Sequence, residues 1–69
     1  MDTETVSSLI QSITARLNAV GIEDAGIDSR LLLRSAFGWS AADQLGHLLD
    51  PPPAGQLDHL ESLVVRRVD

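Results

Sequence analysis

GIEDAGIDSRLLLRSAFGWS, residues Gly21 to Ser40, holds a helix stop, a helix start, an apolar run and a second stop in one short span. Gly21 ends whatever precedes it, because glycine accepts the left-handed turn that closes a helix. Asp24 can accept the free amides of a new helix, along which Ile27, Leu31, Leu32, Ala36 and Phe37 form a broad apolar face that stops at Gly38. Gly26 weakens the start of that helix, so its first turn is expected to fray. Upstream, Val6, Leu9, Ile10, Ile13, Leu17 and Val20 recur every three or four residues, and Asp2, Thr3 or Thr5 can cap the helix they define. Downstream, Ser40 and Asp43 make a short-armed capping box for a third, brief helix whose buried side is Leu45, Leu48 and Leu49. Pro51, Pro52 and Pro53 forbid its continuation, and the last of them is placed to open a fourth helix. That helix carries Leu57, Leu60, Leu63, Val64 and Val68 inward and ends on Arg66 and Arg67, whose charge complements its dipole. No period-two run of β-branched residues appears. The expectation is an all-α fold, a small bundle of four to five short-looped helices, forming one domain over residues 1–69.

Composition limits what such a bundle can do. A 69-residue chain buries only roughly 60% of the surface its unfolded form exposes, which points to a piece of a larger protein with a neighbour over one face. It has no cysteine, hence no disulfide framework and no thiolate metal site, as fits a reducing compartment; the cytoplasm is expected. No apolar run reaches the roughly 20 residues that span a bilayer, and the first residues are acidic where a signal peptide is basic, so no membrane partner is expected. Ten acidic residues against five arginines, for a net charge of −5, give the wrong sign for phosphate binding. With no aromatic set to stack bases, nucleic acid is not expected as a direct partner.

No catalytic, cofactor-binding or metal-ligating residue emerges. The chain lacks a glycine-rich phosphate loop, a paired-histidine metal signature and a cysteine nucleophile. His47 and His59 fall on different predicted helices, as structural or solvent-facing groups do. Asp28-Ser29 opening an apolar helix is also how acyl carrier proteins present the serine that takes a phosphopantetheine arm. Spacing opposes that reading: a carrier domain has a long loop before the serine, whereas only seven residues separate Gly21 from Ser29, and Arg30 replaces the usual leucine. The alternative places Asp28 and Ser29 in the first turns of a helix, where a carboxylate favours exposed amides. Trp39, at the junction of two helices, is either a lid on the core or an anchor for a partner. Arg30 and Arg34, four apart, share the outer face of the second helix, while Arg66 and Arg67 crowd the end of the fourth. Such charges form either a solvated surface or contacts to another protein or domain. The candidate partner-binding set is therefore Arg30, Arg34, Trp39, Arg66 and Arg67.

From Leu17 to Arg67 the order of elements resembles the N-terminal helical domain of the release-factor glutamine N5-methyltransferases, the PrmC/HemK family. In that family the first helix ends in an Ala-Gly-Ile/Val-like turn, here Ala19, Val20, Gly21 and Ile22. A Leu-Asp-Ala-x-Leu-Leu-Leu-like helix follows, matched by Ile27, Asp28, Ser29, Arg30, Leu31, Leu32 and Leu33. Phe37, Gly38, Trp39 and Ser40 match a Leu-Gly-Leu-Ser-like turn, before a short helix, a proline-bearing loop and a last helix running into Arg-Arg. Gly26 and Ser29 depart from the family in being less helix-friendly. The resemblance implies a parent enzyme whose separate catalytic domain binds S-adenosylmethionine and methylates a glutamine side-chain amide in the Gly-Gly-Gln loop of a peptide chain release factor. It implies that the present domain docks that protein and contacts the catalytic domain of the same chain, without catalysis of its own. The other readings are a carrier protein modified at Ser29 and a free-standing helical interaction module.

Overall fold

A computed structural model describes residues 4–69 as four α-helices and one 3-10 turn: α1 (Val6–Ala19), α2 (Ala25–Phe37), α3 (Ala41–Gly46), the turn Ala54–Gln56, and α4 (Leu57–Val68). The expected small all-α bundle is the fold. Thr5 caps α1; the other two candidate caps, Asp2 and Thr3, lie outside the described residues. The Thr5 hydroxyl accepts the Ser8 N–H at 3.1 Å and the Ser8 hydroxyl accepts the Thr5 N–H at 2.9 Å. Two further amides of the first turn reach across the fold: Val6 N–H donates to the Asp50 carbonyl and Ser7 N–H to the Leu48 carbonyl, both at 2.9 Å. The free donors that every helix start leaves are thus met here partly by a distant loop. At the other end Gly21 takes φ 85°, and Gly21 N–H to Asn18 carbonyl with Ile22 N–H to Leu17 carbonyl complete a paired-bond helix stop.

The second helix departs from expectation at its start. Asp24 occupies the cap position, yet its side chain makes no capping hydrogen bond, because its ψ of 42° is far from the extended geometry that aims such a side chain at the amides. Across Gly26 the first turn is closed by Asp28 N–H to the Asp24 carbonyl at 2.8 Å. Gly38, at φ 70°, ends α2, and the following Trp39 N–H reaches back to the Arg34 carbonyl at 3.0 Å. Ser40 and Asp43 form the expected capping box, with reciprocal bonds of 3.1 Å. Pro53 stands at the head of the 3-10 turn, which then runs into α4.

The core lies among α1, α2 and α4, with α1 and α2 sharing the most extensive contact. From α1 come Val6, Ile10, Ile13 and Leu17, and from α4 come Leu60 and Val64, as the periodicity predicts. Leu57, Leu63 and Val68 pack at its margin, as does Leu9, while Val20, beyond the end of α1, is half-exposed. On α2 the buried residues are Ala25, Ser29, Leu33, Ala36 and Phe37, whereas Ile27 is 57% and Leu31 48% exposed. The expected face is corrected by a rotation of the helix. Leu31, Leu32 and Leu33 point in successive directions about 100° apart, so only one can face the centre, and small residues on that same face let α2 approach α1 closely. The third helix is corrected as well: Leu45 and Leu49 are exposed, Leu48 flanks the core, and Gln44 takes the buried place. Its amide nitrogen donates to the Arg30 carbonyl at 3.0 Å, so the buried polar group is satisfied.

One ion pair ties α1 to α4. Arg16 grips Glu61 with both guanidinium ends, at 2.8 and 2.7 Å. These hydrogen bonds, against slight desolvation, hold the Glu61 carboxyl below its ordinary value of 4.5 and raise the Arg16 guanidinium.

Leu60→Ala is expected to cost about 2–5 kcal/mol, enough to unfold a marginal domain, and Leu31→Ala within about 0.5 kcal/mol of nothing. Urea denaturation of both variants checks this, and equal losses would contradict the rotation of α2. A carboxyl depressed in the fold stabilises above its unfolded value and loses that contribution as pH falls through the folded value. The wild-type chain should therefore exceed Glu61→Gln in stability by less than about 1 kcal/mol above pH 4.5, with the gap closing under more acid conditions. Thermal midpoints of the two chains across that range measure it.

Candidate functional site

Arg30 and Arg34 sit one turn apart on α2, where that helix, α1 and α3 enclose a groove of about 430 Å³. Ser7, Ile10 and Gln11 line it from α1, and Ala41, Gln44 and Leu45 from α3, with Leu48 beyond. Three polar ties hold the α3 wall in place: the Gln44 amide on the Arg30 carbonyl, and the Leu48 and Asp50 carbonyls on the first amides of α1. Arg34 is half-buried, and its Nε is wholly buried with no hydrogen-bond partner among the described residues. A buried donor left unmade costs about 1–3 kcal/mol, and more when charged. Neither arginine meets a carboxylate within ion-pair distance among the described residues, although the chain carries twice as many acids as arginines. Like charges four apart on a helix add about 0.2–0.5 kcal/mol of strain. The groove is thus an uncompensated cationic spot on an acidic chain.

The other sequence-predicted residues lie elsewhere. Arg67 donates through Nε and Nη2 to the Asp28 Oδ2, at 3.0 and 2.7 Å, tying the end of α4 to the first turn of α2. Arg66 is exposed on α4. Trp39 is half-buried, edge-on to Phe37 with centroids 5.0 Å apart and stacked on His47 at 4.6 Å with 14° between planes. It covers the junction of α2 and α3 and does not line the groove. His47 also bonds Asp50 through Nδ1 at 2.9 Å, and His59 is exposed on α4, so the two imidazoles have separate surroundings. Sequence reasoning missed Ser7, Gln11, Gln44 and Leu45 as groove lining. The signal available was Gln44, a polar residue one turn before Leu48 on the side of α3 that packs inward.

Ser29 is fully buried. Its hydroxyl donates to the Gly26 carbonyl at 2.9 Å and lies 2.8 Å from the Thr14 hydroxyl, which in turn reaches the Ile10 carbonyl at 2.7 Å. Two hydroxyl protons serve these three close contacts, and the pair joins α1 to α2. A serine with no solvent access offers no attachment point for a phosphopantetheine arm, and the carrier reading is set aside on that ground.

Among the described residues, no group of three or more His, Cys, Asp or Glu side chains is placed to hold a metal ion, and no helix is long and apolar enough to cross a membrane. The family model of the PrmC N-terminal domain matches residues 8–69. No curated protein and no solved structure matches the chain at a significant level.

Ser29→Ala should lower stability by about 0.5–1.5 kcal/mol, because Thr14 keeps the Ile10 carbonyl as its acceptor and no donor is stranded. Ser29→Leu should lose more, about 1–3 kcal/mol, by overpacking the α1–α2 contact. Denaturant titration of both variants tests the order, and a stable leucine variant would show that Ser29 is not enclosed.

Proposed function

The chain belongs to the PrmC N-terminal domain family, and we propose that residues 1–69 are the substrate-docking domain of a larger methyltransferase. Its task is to bind and orient a peptide chain release factor. A separate catalytic domain of the parent then transfers the methyl group of S-adenosylmethionine to the glutamine amide of the Gly-Gly-Gln loop. The observation that carries this reading is the family match, which spans α2, α3, α4 and nearly all of α1. Charge supports it: Arg30 and Arg34 line a formed groove with no carboxylate within ion-pair distance among the described residues. Arg66, Arg67 and the open edge of Trp39 make the second set of contacts, to the release factor or to the catalytic domain. The setting is cytoplasmic, with translation termination.

The groove residues do not fit S-adenosylmethionine. Two arginines could meet the cofactor's α-carboxylate, but its sulfonium cation and ribose hydroxyls call for a carboxylate, and the groove lining has none. The cofactor therefore belongs to the catalytic domain. Docking remote from the reacting centre still serves catalysis, because it supplies the binding energy and orientation that present one glutamine of a large protein to the methyl donor.

Titration of the purified chain with a release factor should show weak, saturable binding, and no methyl transfer when S-adenosylmethionine is added. In the parent enzyme, replacing Arg30 and Arg34 together by Ala should raise KM for the release factor by roughly tenfold, equivalent to about 1.4 kcal/mol, with kcat nearly unchanged. Deleting residues 1–69 from a parent that stays folded, with no change in KM, would sink the docking role.

A further inference from the structure

We propose that the groove between α1, α2 and α3 receives a single carboxylate side chain, Asp or Glu, flanked by an apolar residue, on the protein this domain docks. The inference rests on the docking reading and names what the site recognises. Arg30 and Arg34 lie four residues apart, a Cβ separation of about 5–6 Å that two guanidinium groups can close on one carboxylate between them. The Arg34 Nε is closed off from solvent and unmatched, so the donors left to meet an acceptor in the groove are the terminal nitrogens of the two guanidinium groups. The remaining wall is part polar, from Ser7, Gln11 and Gln44, and part apolar. Ile10 and Leu48 form its inner part, and Leu45, 70% exposed, stands beside the two cations where a side chain next to the carboxylate would cover it.

The same features favour a protein segment over a polyanion. A phosphate backbone has no apolar group to set against Leu45, and a chain of net charge −5 repels an extended run of negative charge at long range. That field also disfavours an acidic tract, so one carboxylate in an otherwise neutral or basic segment suits the groove best.

The test follows the Nε–H resonances of the arginines in the full 69-residue chain by nuclear magnetic resonance. The probes are acetyl-Leu-Glu-amide, acetyl-Leu-Gln-amide and inorganic phosphate. The glutamate dipeptide should shift the Arg34 and Arg30 signals saturably, and the glutamine dipeptide should act at least about tenfold more weakly. Arg34→Gln should abolish the response at Arg30 while the backbone spectrum stays dispersed; Arg30→Gln, read at Arg34, serves if the first variant loses its fold. A flat titration with the glutamate dipeptide to its solubility limit, an equal response to both dipeptides, or a response to phosphate alone overturns the proposal. Release-factor binding whose Kd is unchanged by Arg34→Gln also overturns it but leaves docking intact. If the wild-type chain binds the glutamate dipeptide and no release factor, docking fails and the recognition of a carboxylate stands.

Discussion

The contact between the hydroxyls of Ser29 and Thr14 sets the rotation of α2, and most of the molecule's arrangement follows from that rotation. A buried hydroxyl must find partners nearby: the Gly26 carbonyl of its own helix serves Ser29 at any rotation, but Thr14 comes within reach only when Ser29 faces α1. With Ser29 inward, Ala25, Leu33, Ala36 and Phe37 are carried inward too, because they lie within one stripe of the helix. The flanks are then determined. Asp28 turns toward α4 and meets Arg67, Arg30 and Arg34 turn toward α3, and Ile27 and Leu31 are left on the outer face.

The groove exists because α3 is held by polar ties and not by its leucines. Its six residues are too few to bury a stripe of their own, and the carbonyls that follow it serve as acceptors for the first amides of α1. A short helix pulled onto the core through Leu45 would close the space beside Arg34. Fastened instead at Gln44, Leu48 and Asp50, it stands off as a wall. The Trp39 ring, packed between Phe37 and His47, secures the joint at which that wall begins.

Electrostatics divides the arginines by role. Arg16 and Arg67 each take a carboxylate from another helix and lace the three core helices together, though exposed pairs of this kind contribute little, about 0–1 kcal/mol each. Arg30, Arg34 and the exposed Arg66 have no carboxylate within ion-pair distance among the described residues, and of these only Arg30 and Arg34 line the groove, an arrangement that local stability does not favour. Departures of this kind from local consistency are what binding sites tend to require.

Helix number and most helix ends were legible in the residues themselves. Glycines at 21 and 38, the Ser40–Asp43 box and the prolines act through local backbone geometry, which needs no knowledge of the rest of the fold. The buried faces of α1 and α4 were legible for a related reason: each has one apolar stripe and polar residues elsewhere, so only one rotation buries it. On α2 the apolar residues run nearly all round, several rotations bury similar area, and the choice passed to a buried serine whose partner lies on another helix. Leu31 was read as core and Arg34 as outer surface for that reason. The grouping of Arg30 and Arg34 with Gln11 and Leu45 was likewise beyond sequence alone, because it depends on where a six-residue helix is fastened, and those fastenings run to residues 14 or more positions away.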